Sequence, residues 1–310
     1  MTTFIQTADP RMKKILEVAE SVAQSRASIL ITGESGTGKE LLARFIHAKS
    51  PRRLKRFVAI NCAAVPDGLL ESELFGFEKG AFTGADQRKV GEFELASEST
   101  FLLDEISEMP MLLQAKLLRV LQESEIERLG SQQPIKINVR IVATTNRPLE
   151  QLVKSGEFRE DLYYRLNVIP LQIPSLRSRP LDVELLARHF VAASCTQNGL
   201  PERALTQAAM ERLLSFAWPG NIRELQNVVE RSVLLCSESE IRSEHILLPE
   251  VPEQPAHSFE PGMTVFEAER RLILKTLEFT KQNRTRAAEL LGISIRTLRN
   301  KLHEYKVSAP

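Results

Sequence analysis

Cysteine is scarce: only Cys62, Cys195 and Cys236 occur in 310 residues, far apart and without a CxxC pair. That excludes a disulfide scaffold and a thiolate zinc site, and points to reduced, buried thiols. No stretch approaches the roughly 20 apolar residues needed to cross a bilayer. The first residues, Met1-Thr2-Thr3-Phe4, lack the basic-then-apolar layout of a signal peptide. Internal repeats are absent, and the proline-rich segment at 249–261 is the one low-complexity tract. What is present, 43% hydrophobic and 26% charged residues, excludes disorder and collagen. A chain of this length buries roughly three quarters of its unfolded surface, divided over two or three units. The expectation is a soluble cytoplasmic protein with no membrane contact.

The net charge of +1 hides an asymmetry. Residues 1–248 carry 31 Lys and Arg against 32 Asp and Glu, whereas residues 262–310 carry 10 against 5. A small basic unit on a neutral body suits nucleic acid, because neutralising phosphates takes clustered cations; a solvated charged face is the alternative. Between the two, Pro249 to Pro261 holds four prolines and three glutamates. Proline blocks helix continuation and sheet pairing, so this reads as a stiff linker.

Hydrophobic spacing supplies the layout. Asp9-Pro10 opens a helix with a capping Asp and Pro in the first turn. A short apolar strand, Ser28–Thr32, leads into a helix over 40–49. Strands at 57–61, 100–103 and 139–143 then alternate with helices at 67–74, 111–123 and 149–154. Such alternation predicts a parallel sheet covered on both faces, an α/β fold. From about Pro174 to Leu248 the pattern is helical only, which predicts a helical lid. The expected divisions are therefore 1–173, 174–248, a linker at 249–262, and a small all-α domain at 263–310.

Gly33-Glu34-Ser35-Gly36-Thr37-Gly38-Lys39 lies between that first strand and helix, the context of a P-loop. Glycines let backbone N–H groups turn around phosphate oxygens, and the helix N-terminus adds its positive dipole end. Lys39 would reach the β- and γ-phosphates of ATP. Glu40 stands where a Ser or Thr would ligate Mg²⁺, and so is expected to point away or meet the metal through water. Phe101-Leu-Leu-Asp104-Glu105 ends an apolar strand in two carboxylates. Asp104 suits the Mg²⁺ shell and Glu105 the base that polarises water, which makes ATP hydrolysis the expected activity.

Five segments carry a wider resemblance: Gly33–Glu40, Glu73-Leu-Phe-Gly76, Gly80-Ala81-Phe82-Thr83-Gly84-Ala85, Phe158–Leu166 and Trp218–Leu225. Together they resemble the bacterial enhancer-binding proteins, sigma-54-dependent transcription activators of the AAA+ ATPase superfamily, over residues 5–248 and 265–305. The resemblance implies an AAA+ P-loop sheet with a helical lid. It also implies that the Gly80–Ala85 loop contacts sigma-54 and moves with nucleotide state, offering Phe82 as an aromatic anchor rather than packing it inward. Arg159 and Arg165 match arginine fingers that act on a neighbour's γ-phosphate, so activity would need a homo-oligomeric ring, hexamer or heptamer; pairing with Glu160 and Asp161 is the local alternative. Arg223 matches the second sensor, and Asn146, within Thr145-Asn146, the first. Asn61 matches a residue that holds Glu105 by a hydrogen bond. Independently, Asn221 and Glu224 have capping-box spacing, which puts Arg223 in a helix's first turn. A cation there opposes the dipole and implies a nearby anion. Relatives commonly read Gly-Gly-Thr before the acidic pair; this chain reads Glu98-Ser99-Thr100, in a turn that glycines would ordinarily shape.

In the basic tail, Arg284–Leu291 and Ser294–Tyr305 read as helices separated by Gly292-Ile293, a helix-turn-helix. Ile295, Leu298, Leu302 and Tyr305 share an inward face. Arg296, Thr297, Arg299, Asn300 and Lys301 are left outward to read base edges, with Arg284 and Arg286 on phosphates. A dimerising αα-hairpin is the alternative. The segment resembles the Fis-type domain of the same activators, which binds palindromic double-stranded enhancer DNA as a dimer. Many relatives carry an upstream receiver or sensor module; here the sequence starts at the ATPase, which implies a separate inhibitor or a removed module. Rival readings are another AAA+ remodelling ATPase with a DNA-binding tail, and a DNA-binding regulator that holds nucleotide without cleaving it.

Overall fold

In the computed structural model, which describes residues 5–249, 264–280 and 283–307, five apolar strands pair in parallel. They are β1 (Ile29–Thr32), β2 (Phe57–Asn61), β3 (Thr100–Asp104), β4 (Arg140–Thr145) and β5 (Ile169–Gln172), ordered β2-β3-β4-β1-β5. Successive side chains leave opposite faces of a strand, and the cores follow that alternation. Leu102, Ile29, Ile31 and Val142 pack with Met12, Leu42 and Ile46 from helices α1 (Pro10–Ala23) and α2 (Lys39–Ala48). Phe101, Leu103, Leu30 and Ile141 pack on the other face. Their partners there include Leu74, Leu117, Leu152 and Leu162. These come from α3 (Asp67–Phe75), α4 (Met111–Glu123), α5 (Leu149–Ser155) and α6 (Glu160–Leu166). Burying each such side chain contributes about 1.5–3 kcal/mol, so the sheet is held from both sides.

Asp9 caps α1 as expected, accepting from the N–H groups of Arg11 and Met12. The far end of α1 is closed by Arg140, only 2% exposed, which donates to the carbonyls of Val22 and Ala23. That places a cation on the negative end of the helix dipole. Burial lowers the Arg140 pKa to about 10.

Two features lie outside the sequence expectation. The fifth strand carries Pro170, which cannot donate to a ladder; β5 sits at the sheet edge and pairs only with β1, where that loss is tolerated. The lid region is not purely helical. Besides α7 (Pro180–Gln197), α8 (Gln207–Ser215) and α9 (Asn221–Leu235), it contains a short parallel pair, Ala204–Leu205 with Glu240–Ile241. Its core is centred on Trp218, fully buried, whose Nε1 donates to the Leu213 carbonyl at 2.9 Å.

The chain divides into two compact units, residues 1–248 and 249–310. Apart from Pro249, the proline-rich linker lies outside the described residues. The second unit contains α10 (Val265–Phe279), α11 (Arg284–Leu290) and α12 (Ile295–Val307), packed around Ile273, Leu277, Ala287, Ala288, Leu298 and Tyr305. Leu302 packs against this core, but Ile295 is 37% exposed, so the inward face of α12 begins at Leu298 and not at Ile295. Among the described residues no helix is long and apolar enough to cross a membrane.

Candidate nucleotide site, loop and helix-turn-helix

The register that pairs Thr32 with Thr145, and Asn61 with Asp104, gathers the polar strand ends on one edge of the sheet. From β1 the chain turns through Gly33–Gly38 into α2. Gly36 and Gly38 have φ of +78° and +98°, and a Cβ at Gly36 would lie 2.3 Å from the Gly220 carbonyl oxygen. Gly38 precedes α2 without a side-chain cap, leaving the first-turn N–H groups for an anion. Lys39 is buried; its Nζ donates to the Gly33 carbonyl at 3.0 Å and lies 3.3 Å from Glu105 Oε1. Thr37 Oγ1 donates to the Glu34 carbonyl. Glu40 is exposed and paired with Arg44 at 2.7 Å one turn along α2, so its carboxylate is directed to solvent.

At the end of β3 the two carboxylates have different partners. Asp104 accepts from the Thr144 hydroxyl and, at 3.0 Å, from Asn61 Nδ2. Glu105 turns out of the strand with φ +52°, and its Oε2 accepts from the Asn146 N–H at 3.0 Å. The resemblance put the Asn61 bond on Glu105; here Asp104 takes it, because register sets those two side by side. Thr144, which also accepts from the Glu105 N–H, was not singled out from sequence, although it adjoins Thr145-Asn146. The thiol of Cys62, beside this edge, is pushed up to about 12 by burial, with Asp104 and Glu105 adding to the shift.

The lid closes on the phosphate loop. Arg223, in the first turn of α9, donates to Ser35 Oγ at 3.3 Å. The expected capping box is only half present: Glu224 reaches back to the Gly220 N–H at 2.8 Å, but Asn221 is not the cap. It has φ +53° and spends its side chain elsewhere, on the Leu176 N–H, Glu34 and the Ser35 carbonyl. Arg177, also not foreseen, pairs with Glu34.

Arg159 and Arg165 both belong to the α6 region. Arg159 pairs with Asp161 at 2.7 Å, and Arg165 donates to the Leu121 carbonyl at 2.9 Å. Among the described residues neither bonds to the phosphate loop of its own chain.

Gly80–Ala85 is the tip of a hairpin whose strands, Gly76–Phe77 and Lys89–Val90, are antiparallel. Gly80 and Gly84 have φ of +83° and +101°, and the Gly80 N–H donates to the Ala85 carbonyl at 2.8 Å. Thr83 is exposed between them, Ala81 is partly buried, and Ala85 is buried. Phe82 is 45% exposed with its ring 4.9 Å from that of Phe77, so it is neither packed inward nor wholly free. The hairpin base is fixed by Arg128, which pairs with Glu78 and Glu94, and by Ala81 lying against Gly130.

In the second unit Arg284, Arg286, Arg296, Thr297, Arg299 and Asn300 are exposed. Ser294 Oγ accepts from the Thr297 N–H, setting the start of α12. Lys301 departs from the expected outward set: it is half-buried and paired with Glu269 of α10 at 2.8 Å.

These features agree with the comparisons. Residues 5–172 match the sigma-54 interaction domain, 177–260 the AAA+ ATPase lid domain, and 264–305 the bacterial regulatory protein, Fis family. The chain is 52% identical to the transcriptional regulatory protein FlbD of Caulobacter vibrioides, over 96% of this chain and 69% of that protein. It is 44% identical to the sigma54-dependent transcriptional activator SfnR of Pseudomonas putida, over 95% of this chain and 86% of that protein. The crystal structure of NtrX from Brucella abortus in complex with ADP superposes with a TM-score of 0.75 at 33% identity, covering 98% of this chain and 69% of that one. A phosphate loop facing an acidic strand end, a lid closed on it and a separate basic helix-turn-helix thus coincide with all three domain matches, and the chain belongs to the sigma-54 activator family of AAA+ ATPases.

Proposed function

We propose that this chain binds enhancer DNA through residues 263–310 and uses ATP hydrolysis in residues 1–248 to remodel the sigma-54 RNA polymerase closed complex to the open one, in the cytoplasm. The observation that carries this is the buried Lys39 ammonium 3.3 Å from Glu105 beneath an uncapped helix N-terminus, within the same unit as the Gly80–Ala85 loop.

The residues fit a nucleoside triphosphate. Backbone N–H groups of Gly36 to Lys39, the Lys39 ammonium and the Arg223 guanidinium would hold the phosphates. Among the described residues no three His, Cys, Asp or Glu converge on a metal position. Asp104, the carboxylate assigned to the metal shell, would hold Mg²⁺ together with phosphate oxygens, as this ion commonly binds; when bound it supplies charge neutralisation at the transferring phosphoryl group. Glu105 is aimed by its bonds to Lys39 and the Asn146 N–H, and accepts the proton of the attacking water. Arg159 and Arg165 would complete the pocket of an adjacent protomer in a ring, Arg159 leaving Asp161 to do so. Arg284, Arg286, Arg296, Arg299 and Asn300 would face DNA in a dimer of the second units, with Lys301 buttressing α12 instead.

Open-complex formation on a sigma-54 promoter, with hydrolysable and non-hydrolysable nucleotide, tests the reading. Opening with ATP alone is expected. Equal opening with both analogues, or none with either despite ATP turnover, would favour a regulator that only binds nucleotide or a remodelling ATPase of another kind.

A further inference from the structure

Between the phosphate loop and the lid lies a polar junction whose Glu34, Arg177 and Asn221 have no part in the chemistry above. Its centre is Asn221, fully buried, with φ +53°. The amide of Asn221 donates to the Ser35 carbonyl at 3.0 Å and to Glu34 Oε2 at 3.1 Å; its Oδ1 accepts from the Leu176 N–H at 2.8 Å. Next to Leu176, Arg177 sends Nη1 to Glu34 Oε2 at 2.9 Å. The N–H of Ile222 donates to the Gly36 carbonyl at 3.0 Å, and Arg223 reaches Ser35 Oγ. Three consecutive loop residues, 34 to 36, are thus bonded to 176–177 and 221–223.

We propose that Asn221 and Glu34 are positioning residues for hydrolysis: their junction fixes the phosphate loop against the first turn of α9, and so fixes Arg223 relative to the phosphates. The inference rests on the ATPase reading above.

Backbone strain supports it. A non-glycine residue at positive φ persists only where its surroundings over-determine it, and such residues cluster at functional sites. Glycine would adopt this φ freely but would make none of the three side-chain bonds, so the strain accompanies the junction. The Arg177 guanidinium also holds the Glu34 carboxyl below its ordinary value, with the Asn221 amide helping. Fixing matters here because an anion-stabilising group displaced by about 1 Å can cost on the order of 100-fold in rate.

The test compares Asn221→Asp, Glu34→Gln and the double variant in the whole 310-residue chain, measuring steady-state ATPase kinetics, ADP affinity by fluorescence titration, and the thermal midpoint. Asn221→Asp turns the donor into an acceptor facing Glu34 and the Ser35 carbonyl. It is expected to lower kcat about 10- to 100-fold while ADP affinity changes less than about threefold. Glu34→Gln, on a half-exposed side chain, should lower kcat about three- to tenfold with the midpoint unmoved. In the double variant the introduced amide at position 34 can donate to the introduced carboxylate at position 221, and recovery of at least about half of the logarithmic loss is expected. A kcat for both single variants within about twofold of the parent would overturn the proposal. So would a parallel fall of kcat, affinity and midpoint without recovery in the double variant, which marks a merely structural junction. Absence of turnover by the unaltered chain would remove the ATPase reading and this inference with it.

Discussion

Asn61 and Asp104 are register partners on β2 and β3, and the Asn61 amide donates to the Asp104 carboxylate at 3.0 Å. The asparagine therefore orients the carboxylate assigned to Mg²⁺, not the one assigned to water. Asn61→Ala is expected to raise the Mg²⁺ concentration for half-maximal ATPase rate about three- to tenfold, the loss of one solvent-exposed hydrogen bond. A metal titration checks this; an unchanged Mg²⁺ requirement with a lower kcat would return Asn61 to Glu105.

Lys39 and Glu40 are adjacent but differently engaged, one buried against Glu105 and the other exposed with Arg44. Lys39→Ala should abolish nucleotide binding, whereas Glu40→Ala should weaken it by no more than about threefold, the scale of an exposed helical ion pair. Equal losses in a binding titration would contradict the assignment.

Phe82 shows its ring at the loop tip. Phe82→Ala is expected to eliminate sigma-54-dependent open-complex formation while ATPase activity stays within about twofold, since an aromatic anchor contributes to partner binding and the Phe82 ring packs on Phe77, not on a residue assigned to the nucleotide. Parallel loss of both activities would show that the loop supports the nucleotide site instead.

Glu98 has φ +62°, in the turn before β3, and its carboxylate accepts from Asn138 Nδ2. A left-handed non-glycine residue costs roughly 1–2 kcal/mol. Glu98→Gly relieves that cost and loses one exposed hydrogen bond, so stability should hold or rise by up to about 1 kcal/mol. Glu98→Val adds β-branching and should lose about 1–2 kcal/mol, lowering the thermal midpoint by several degrees.

Cys62 supplies a pH dependence. Its pKa in the fold is about 12 because the thiol is buried near two carboxylates, against about 8.5 in an unfolded chain. The native state thus holds the proton more tightly. The contribution is complete below about pH 8.5 and is lost as pH rises towards 12, by up to about 1.4 kcal/mol per pH unit. Unfolding free energies measured over that window should fall more steeply for the parent than for Cys62→Ala.

The parts legible in the sequence are those fixed by local chemistry. Gly33–Lys39 between a strand and a helix announces a phosphate loop because few other turns need that spacing, and Asp9-Pro10 announces a helix start. What escaped notice depends on partners distant in the chain. Asn221 looks like a cap beside Glu224, yet its amide is claimed by residues 34 and 35. Lys301 looks outward along α12 until Glu269 of α10 is placed opposite. Strand β5 is hidden by Pro170, which only an edge position accommodates. Periodicity assigned Ile295 to the core, but the helix is just beginning there and the ring of neighbours is incomplete.

Gly130 has a further consequence. A Cβ there would lie 2.8 Å from that of Ala81, while the N–H of Glu78 donates to the Leu129 carbonyl and that of Leu129 to Gly76. The turn after Arg128 and the root of the aromatic hairpin are therefore seamed together by backbone bonds on both sides of Leu129. A side chain added at Gly130 would collide with Ala81 and so crowd the first residues of the Gly80–Ala85 loop.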